Sequence, residues 1–256
     1  MTPRRIETFA LPGIPLVQPG DDLCDLILSA LGRADVTLRR DDVIVVAQKI
    51  VSKAEGRYAA LSDIPPSAEA MALGAEVDKD PRLVELILGE STRVVRQRPG
   101  LLIVEHRLGF VLANAGIDAS NVEPTNGDER VLLLPQDPDR SCKQLRAAIA
   151  EITGTTPAVI INDSIGRAWR YGTVGTAIGV SGLRSLLDLR GDKDLFGREL
   201  RVSTVGLADE LAASASVVQG EGAEGTPVAL IRGFAPEAED GSVGDLLRGE
   251  NEDLFR

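Results

Sequence analysis

Residues 157–182 read PAVIINDSIGRAWRYGTVGTAIGVSG, and the opening of this run limits what the chain can become more than any other segment. Residues 158–161 are a short, continuous apolar stretch rich in β-branched side chains, which predicts a buried strand. Asn162, Asp163 and Ser164 come directly behind it, a polar and metal-capable cluster at the end of a core strand, where α/β architectures place their chemistry. Arg167, Trp169 and Arg170 follow with four glycines, supplying cationic groups and backbone that can approach a phosphate closely.

The order of elements around that strand decides the fold class. Residues 5–10 predict a strand ended by Leu11-Pro12-Gly13-Ile14-Pro15. Asp21 or Asp22 can cap a helix whose Leu23, Leu26, Ile27, Ala30 and Leu31 share one face. Residues 43–47 predict another buried strand. Helices are expected over 67–77 and from Pro81 through Leu88, the latter ended by Gly89. Residues 94–98, 101–105 and 109–114 predict consecutive antiparallel strands with tight Pro-Gly and Leu-Gly connections. A strand over 132–134, a helix over 139–152, a strand over 200–205, a helix over 209–217 and a core strand over 228–231 complete the series. This is not a uniform βαβ alternation, and it predicts an α+β fold with mixed, largely antiparallel sheets. Residues 1–234 form the expected folded body. Residues 235–256 turn acidic, with Leu246, Leu247, Leu254 and Phe255 as possible anchors, and predict a loosely held tail.

Composition excludes several classes of function. A formal charge of -11 argues against nucleic acid or an anionic membrane as partner, because both bind through clustered Lys and Arg. No apolar run reaches the roughly 18 residues that a bilayer requires, and no secretory leader is recognisable, so a soluble cytoplasmic protein is expected. Cys24 and Cys142 are too few for a disulfide framework, and His106 is the only histidine. Any metal must therefore be held mainly by oxygen, and a Ser-His-Asp hydrolase is disfavoured. No G-x-x-x-x-G-K-[ST] loop occurs.

Four constellations carry the candidate chemistry. In ANAGIDASNV, Asp118 can reach a cation, and Asn121 offers a donor and an acceptor to a base or ribose. In Asn162-Asp163-Ser164, Asp163 can ligate a divalent ion and the Ser164 hydroxyl can complete its shell. In VVAQKIVSKAEGR, Lys49 and Lys53 stand four residues apart beside Gln48 and Ser52, behind a strand, where phosphate oxygens could be met; a solvated basic face is the plain alternative. The loop Gln219-Gly220-Glu221-Gly222-Ala223-Glu224-Gly225-Thr226 contains G-x-G-x-x-G, but Pro227 and a strand follow it rather than a helix. The dinucleotide reading fails on that context, and a glycine loop carrying Glu221 and Glu224 remains.

Six collinear segments, LPGIP, VVAQKIVSKAEGR, GFVLANAGIDASNV, NDSIGRAWRYGTVGTAIGVSGL, DLRGDKDLFGREL and QGEGAEGTPVALIRG, resemble the coenzyme F420-0:L-glutamate ligase family over nearly the whole chain. The resemblance implies a homodimer of two intertwined subdomains, with GTP as cosubstrate, two divalent ions (Mg2+ or Mn2+) and K+. It gives metal ligation to Asp118, Asp163, Ser164 and Glu221. It gives nucleotide contacts to Leu11, Pro12, Gly13, Ile14, Gln48, Lys49, Lys53 and Asn121, and to Gln219, Gly220, Glu221, Gly222, Ala223, Glu224, Gly225 and Thr226. Catalysis falls to Asp118 and Asp163, with Arg167 as a candidate to stabilise charge on the transferring group. The implied activity joins L-glutamate to the F420 precursor through an acyl phosphate. A metal-dependent phosphohydrolase and a non-catalytic GTP-binding module could use the same side chains.

Overall fold

The computed structural model describes residues 5–122, 128–234 and 239–253. In chain order the elements are β1 (Glu7–Ala10), α1 (Leu23–Arg33), β2 (Val43–Ala47), α2 (Gln48–Ala54), β3 (Tyr58–Ala60), α3 (Ala68–Val77), α4 (Pro81–Gly89), β4 (Ser91–Arg98), β5 (Leu101–His106) and β6 (Val111–Ala113). They continue with β7 (Arg130–Leu132), α5 (Pro138–Thr153), β8 (Ala158–Gly166), β9 (Thr173–Ser181), β10 (Leu187–Asp188), β11 (Thr204–Val205), α6 (Leu207–Gln219) and β12 (Val228–Arg232). The fold is a mixed α+β one.

Its centre is a five-stranded sheet in the order β1-β12-β2-β8-β9, in which β2 and β8 pair in parallel and the other neighbours are antiparallel. The apolar runs that predicted strands are covered on both faces. Ile44, Val46, Val159, Ile161, Val228 and Leu230 pack with Ile27 and Leu31 of α1 and with Cys142, Leu145 and Ile149 of α5. Their alternate neighbours Val43, Val45, Ala158, Ile160, Ala229 and Ile231 pack with Leu207, Leu211 and Ala215 of α6. A period of two thus feeds two helical layers from one sheet. At roughly 25 cal/mol per Å2 of apolar surface, each of the buried Val, Leu and Ile side chains contributes about 1.5–3 kcal/mol.

The helix starts follow their capping chemistry. Asp22 accepts from the backbone N–H groups of Cys24 and Asp25 at the head of α1, Ser67 from Ala70 at α3, and Asp80 from Arg82 at α4, where Pro81 opens the first turn. A separate three-stranded antiparallel sheet, β4-β5-β6, has its own cluster, in which Leu102 and Val104 pack with Val77 of α3 and with Val84 and Ile87 of α4.

Four expectations are corrected. The strand foreseen over 158–161 runs on through Gly166, so Asn162, Asp163 and Ser164 lie within β8 rather than behind it. Two of the four glycines that followed, Gly175 and Gly179, belong to β9 and admit the helices packed on it. A Cβ on Gly175 would stand 2.6 Å from Ala212 O of α6, and one on Gly179 would stand 2.6 Å from the Pro138 backbone at the start of α5. Register slips by one residue here, with Ile161 opposite Gly179 but Asn162 opposite Ala177, and this bulge turns Ile178 and Gly179 to the α5 side. The strand over 200–205 shrinks to Thr204–Val205, because Leu200 N–H is taken by Asp192 O instead of a partner strand. Residues 239–253 are also held: Val243 is buried, and Leu246 and Leu247 pack on the main core. Leu254 and Phe255 lie outside the described residues.

His106 has a structural role. Leu108 N–H donates to its Nδ1 at 3.0 Å, so the ring proton of the neutral form sits on Nε2, which faces Glu90 Oε2 at 3.4 Å. Arg57 Nη2 at 3.0 Å and Arg107 Nε at 3.2 Å converge on the same oxygen. Burial alone would raise the Glu90 carboxyl, but the His106 ring and the two guanidinium groups outweigh it and hold it at about 2. A folded-state pKa below the ordinary value contributes stability above that ordinary value and loses it as pH falls toward 2. Between pH 5 and pH 2.5 the wild type is expected to lose about 2–3 kcal/mol that Glu90→Gln does not lose. Urea titrations of both proteins across that range measure the difference; identical pH slopes would remove this role.

Candidate active site

Strand direction assembles the site. β1, β2 and β8 all run toward one edge of the central sheet, and β12, antiparallel to β1 and β2, starts from it. Residues 11–14 leave β1 there, α2 opens there, the polar half of β8 emerges there, and the 219–226 loop joins β12 there. Ala47 and Asn162 are register partners, so Gln48, which opens α2, comes level with Asp163 of β8. Continuing the alternation of β8 turns Asp163 toward the α2 side and Asn162 and Ser164 toward α6.

A fifth segment is fixed from outside the sheet. Asp118 exchanges backbone hydrogen bonds with Leu132 in both directions, at 3.1 and 2.8 Å, which ties its loop to β7. Its carboxylate folds back on that loop: Oδ1 accepts from Ser120 N–H at 2.7 Å and Oδ2 from the Ser120 hydroxyl at 2.8 Å. Lys49 of α2 closes the group, with Nζ 2.8 Å from Asp118 Oδ2 and 2.6 Å from Ser120 Oγ. Lys53, one turn on, donates to Asn121 O at 2.7 Å, with Asn121 in the left-handed region at φ 56°. Burial first, and the charge of Lys49 second, lower the Lys53 ammonium below its ordinary value. The two lysines four apart are therefore one helix face turned onto the 118–121 loop, rather than a solvated basic face.

Ser164 donates its hydroxyl to Glu221 Oε1 at 2.6 Å, joining β8 to the glycine loop. Gln219, at the end of α6, latches that loop to the sheet edge: its Oε1 accepts from Asn162 Nδ2 at 2.9 Å, and its Nε2 donates to Val45 O and Pro227 O, each at 3.1 Å. Thr226 Oγ1 donates back to Gln219 O at 3.0 Å, and Glu224 accepts from Gly222 N–H at 2.8 Å. Gly220 has φ 74° and ψ 172°, a backbone conformation that is essentially reserved for glycine. Asn162 Oδ1 is buried without a hydrogen-bond partner.

Asp163 is the electrostatic centre. Burial raises its carboxyl to about 6; the Asp118 and Glu221 carboxylates push the same way, while Ser164 N–H and Lys49 oppose them. Desolvation likewise opposes ionisation of Asp118, but Lys49 and Ser120 overcome it and lower that carboxyl below its ordinary value. Three carboxylates drawn from residues 118, 163 and 221 thus share one field. Among the described residues, no three His, Cys, Asp or Glu side chains close around a single point as a metal shell would. Asp118 is turned onto Lys49, and Glu221 onto Ser164. The donor chemistry nonetheless suits a hard divalent cation: carboxylate and hydroxyl oxygens, with a partly exposed Asp163 carboxylate whose negative surroundings a cation would neutralise.

Other sequence-derived candidates fall less centrally. Leu11 is fully buried and donates its N–H to Val228 O at 2.8 Å, while Gly13 O accepts from Arg33 Nη2 at 2.7 Å; Pro12 is exposed and Ile14 packs on the core. Gln48 is buried, and its Oε1 accepts from the Ser52 hydroxyl at 2.8 Å inside α2. Gly220, Gly222, Ala223 and Gly225 are exposed along the loop. Arg167 lies in the β8–β9 hairpin, where its Nη1 donates to Gly172 O at 3.1 Å. Ser120 was not singled out from the sequence. Its position two residues after an Asp is the pattern of an Asx turn and could have identified it.

A family model described as F420-0:Gamma-glutamyl ligase matches residues 13–233. The chain is 46% identical to the Coenzyme F420:L-glutamate ligase of Methanothermobacter thermautotrophicus over 253 residues, covering 98% of this chain and 99% of that protein. It is 43% identical to the proteins of that name from Methanopyrus kandleri, over 98% of this chain and 99% of the relative, and Archaeoglobus fulgidus, over 98% and 97%.

Proposed function

The chain belongs to the F420-0:Gamma-glutamyl ligase family, and we propose that it is a GTP-dependent ligase that joins L-glutamate to the coenzyme F420 precursor through an acyl phosphate. The observation that carries this reading is the shared field of Asp118, Asp163 and Glu221 beside two lysines at one sheet edge. A carboxylate does not react with an amine as it stands. Its oxygen must first attack the γ-phosphorus of GTP, breaking the bond to the bridging oxygen so that GDP leaves. The amine of glutamate then attacks the acyl carbon, and phosphate departs with the bonding electrons while the nitrogen loses a proton.

The chain's part is to hold anions together. Lys49 and Lys53 stand behind β2, where the phosphates of a nucleotide on this edge would be met, and Asn121 with the 219–226 loop frames the rest of it. Asp118, Asp163, Ser164 and Glu221 would be the oxygen ligands for Mg2+ or Mn2+, with two divalent ions and K+ in the full complement. When bound, such an ion neutralises phosphate charge, each charge pair at about 4 Å being worth about 4 kcal/mol at an effective dielectric near 20. Arg167 and Arg170, in the hairpin that continues β8, are the candidates on this reading to meet the transferring group or a phosphate of the precursor. The same reading makes the protein a homodimer of intertwined subdomains in the cytoplasm; among the described residues, no helix is long and apolar enough to cross a membrane.

The test is turnover by purified protein with GTP, Mn2+ or Mg2+, precursor and L-glutamate, followed by phosphate release and product mass. A product heavier by one glutamyl unit, with phosphate release that needs glutamate, is expected. Release without glutamate or precursor would make the protein a phosphohydrolase, and GTP binding without release would make it a nucleotide-binding module.

A further inference from the structure

Both lysines of α2 are engaged with the loop that carries a proposed metal ligand. Lys49 Nζ lies 2.8 Å from Asp118 Oδ2 and 2.6 Å from Ser120 Oγ, and Lys53 Nζ lies 2.7 Å from Asn121 O. Ser120 donates to both carboxylate oxygens of Asp118 as well, so three donors already sit on that carboxylate. A divalent ion binding Asp118 Oδ2 would meet the Lys49 ammonium at like-charge contact distance. Phosphate oxygens would offer the displaced ammonium a charge-assisted partner of the same kind.

Resting on the functional reading above, we infer that Lys49 is a stand-in cation. In the free protein its ammonium holds the position beside Asp118 that a divalent ion takes, and the arrival of the metal–nucleotide pair transfers it from Asp118 to the phosphates. The metal displaces Lys49 from Asp118 while the nucleotide receives it, so each ligand removes an obstacle to the other. Metal and nucleotide then bind weakly alone and strengthen each other by the same factor, as linkage requires. A fixed structural ion pair makes the opposite forecast, since its loss would loosen the 118–121 loop and weaken metal binding.

The experiment is Mn2+ binding to the full-length protein, followed by electron paramagnetic resonance without turnover, with and without a non-hydrolysable GTP analogue. Lys49→Met should bind Mn2+ about tenfold more tightly than wild type in the absence of nucleotide, and the strengthening by the analogue should shrink by about the same factor, leaving only the direct attraction of metal and phosphate. Lys49→Gln, which keeps polar contact with Ser120, should do the same. Lys53→Met, whose lysine touches only a backbone carbonyl of that loop, should leave nucleotide-free Mn2+ affinity within about twofold of wild type. Unchanged or weaker Mn2+ binding in both Lys49 variants, with coupling intact, overturns the inference and leaves the ligase reading standing. Absence of Mn2+ binding in every protein, with the analogue present, overturns both.

Discussion

Asp163→Asn should lower ligase turnover by at least about a thousandfold while leaving the metal-free protein as stable as wild type or more so. On the proposed reading Asp163 is the cation ligand at the centre of the site, and asparagine keeps its shape while removing its charge. Losing an interaction worth about 4 kcal/mol at the transferring phosphoryl group corresponds to roughly three powers of ten in rate. Stability moves the other way. Burial and the neighbouring carboxylates raise the Asp163 carboxyl from its ordinary value to about 6, so its ionised form opposes folding at neutral pH. This cost is absent below the ordinary carboxyl value and grows as pH rises toward 6. Removing the charge should therefore gain about 1–3 kcal/mol at pH 7 without metal. Asp118→Asn should share the loss of turnover without that gain, because Asp118 is stabilised by Lys49 and Ser120. Turnover at saturating GTP and chemical denaturation in chelator measure the two quantities. Wild-type rates in either variant would remove the ligand assignment.

Arg232→Met should destabilise the fold by about 3–5 kcal/mol and leave the turnover of the remaining folded protein close to wild type. Asp42 is fully buried just before β2, and Arg232 at the end of β12 grips it at both oxygens, Nε to Oδ1 at 2.8 Å and Nη2 to Oδ2 at 2.7 Å. Arg39 N–H adds a third hydrogen bond, and Arg232 Nη2 also reaches Thr37 O at 2.9 Å. Methionine fills the apolar part of that volume but leaves a buried carboxylate with one backbone donor. Adding Asp42→Asn to Arg232→Met should recover part of the loss, since an amide is less costly to bury unpaired than a charge. The pair lies at the end of the sheet opposite the active site, which is why activity per folded molecule should persist. Urea denaturation at pH 7 reads the effect, and a loss below 1 kcal/mol would mean that water reaches Asp42.

Periodicity made much of the fold legible. The runs at Val43–Ala47 and Val228–Arg232 are strands because their alternate residues feed two buried layers, and α1, α3 and α4 begin at Asp22, Ser67 and Asp80, which carry the capping oxygens. β9 was not legible because glycines interrupt its apolar pattern; Gly175 and Gly179 are there to admit α6 and α5, a reason that exists only once those helices are in place. The polar half of β8 looked like a loop because side chains that serve a site do not alternate by hydrophobicity. α2 was missed as a helix because it has no side-chain cap and starts directly from β2.

Within the site, residue types were readable from local motifs and partners were not. Nothing in the spacing of Lys49 and Asp118, or of Ser164 and Glu221, announces contacts that depend on strand order and register. Gln48 was readable as a polar residue behind a strand, yet its side chain turns inward to Ser52. Gln219 was readable as part of a glycine loop, yet it latches that loop to the sheet.

The central claim is that Asp118, Asp163 and Glu221, drawn from three distant parts of the chain, serve one cation-dependent nucleotide site. A crystal structure with Mn2+ and a non-hydrolysable GTP analogue, recorded with anomalous scattering at manganese, tests it most directly. Manganese bonded to Asp163 and to at least one of Asp118 and Glu221, with Lys49 moved onto the phosphates, is the expected result. Manganese and nucleotide bound elsewhere, with Lys49 still on Asp118 and Ser164 still on Glu221, would contradict it.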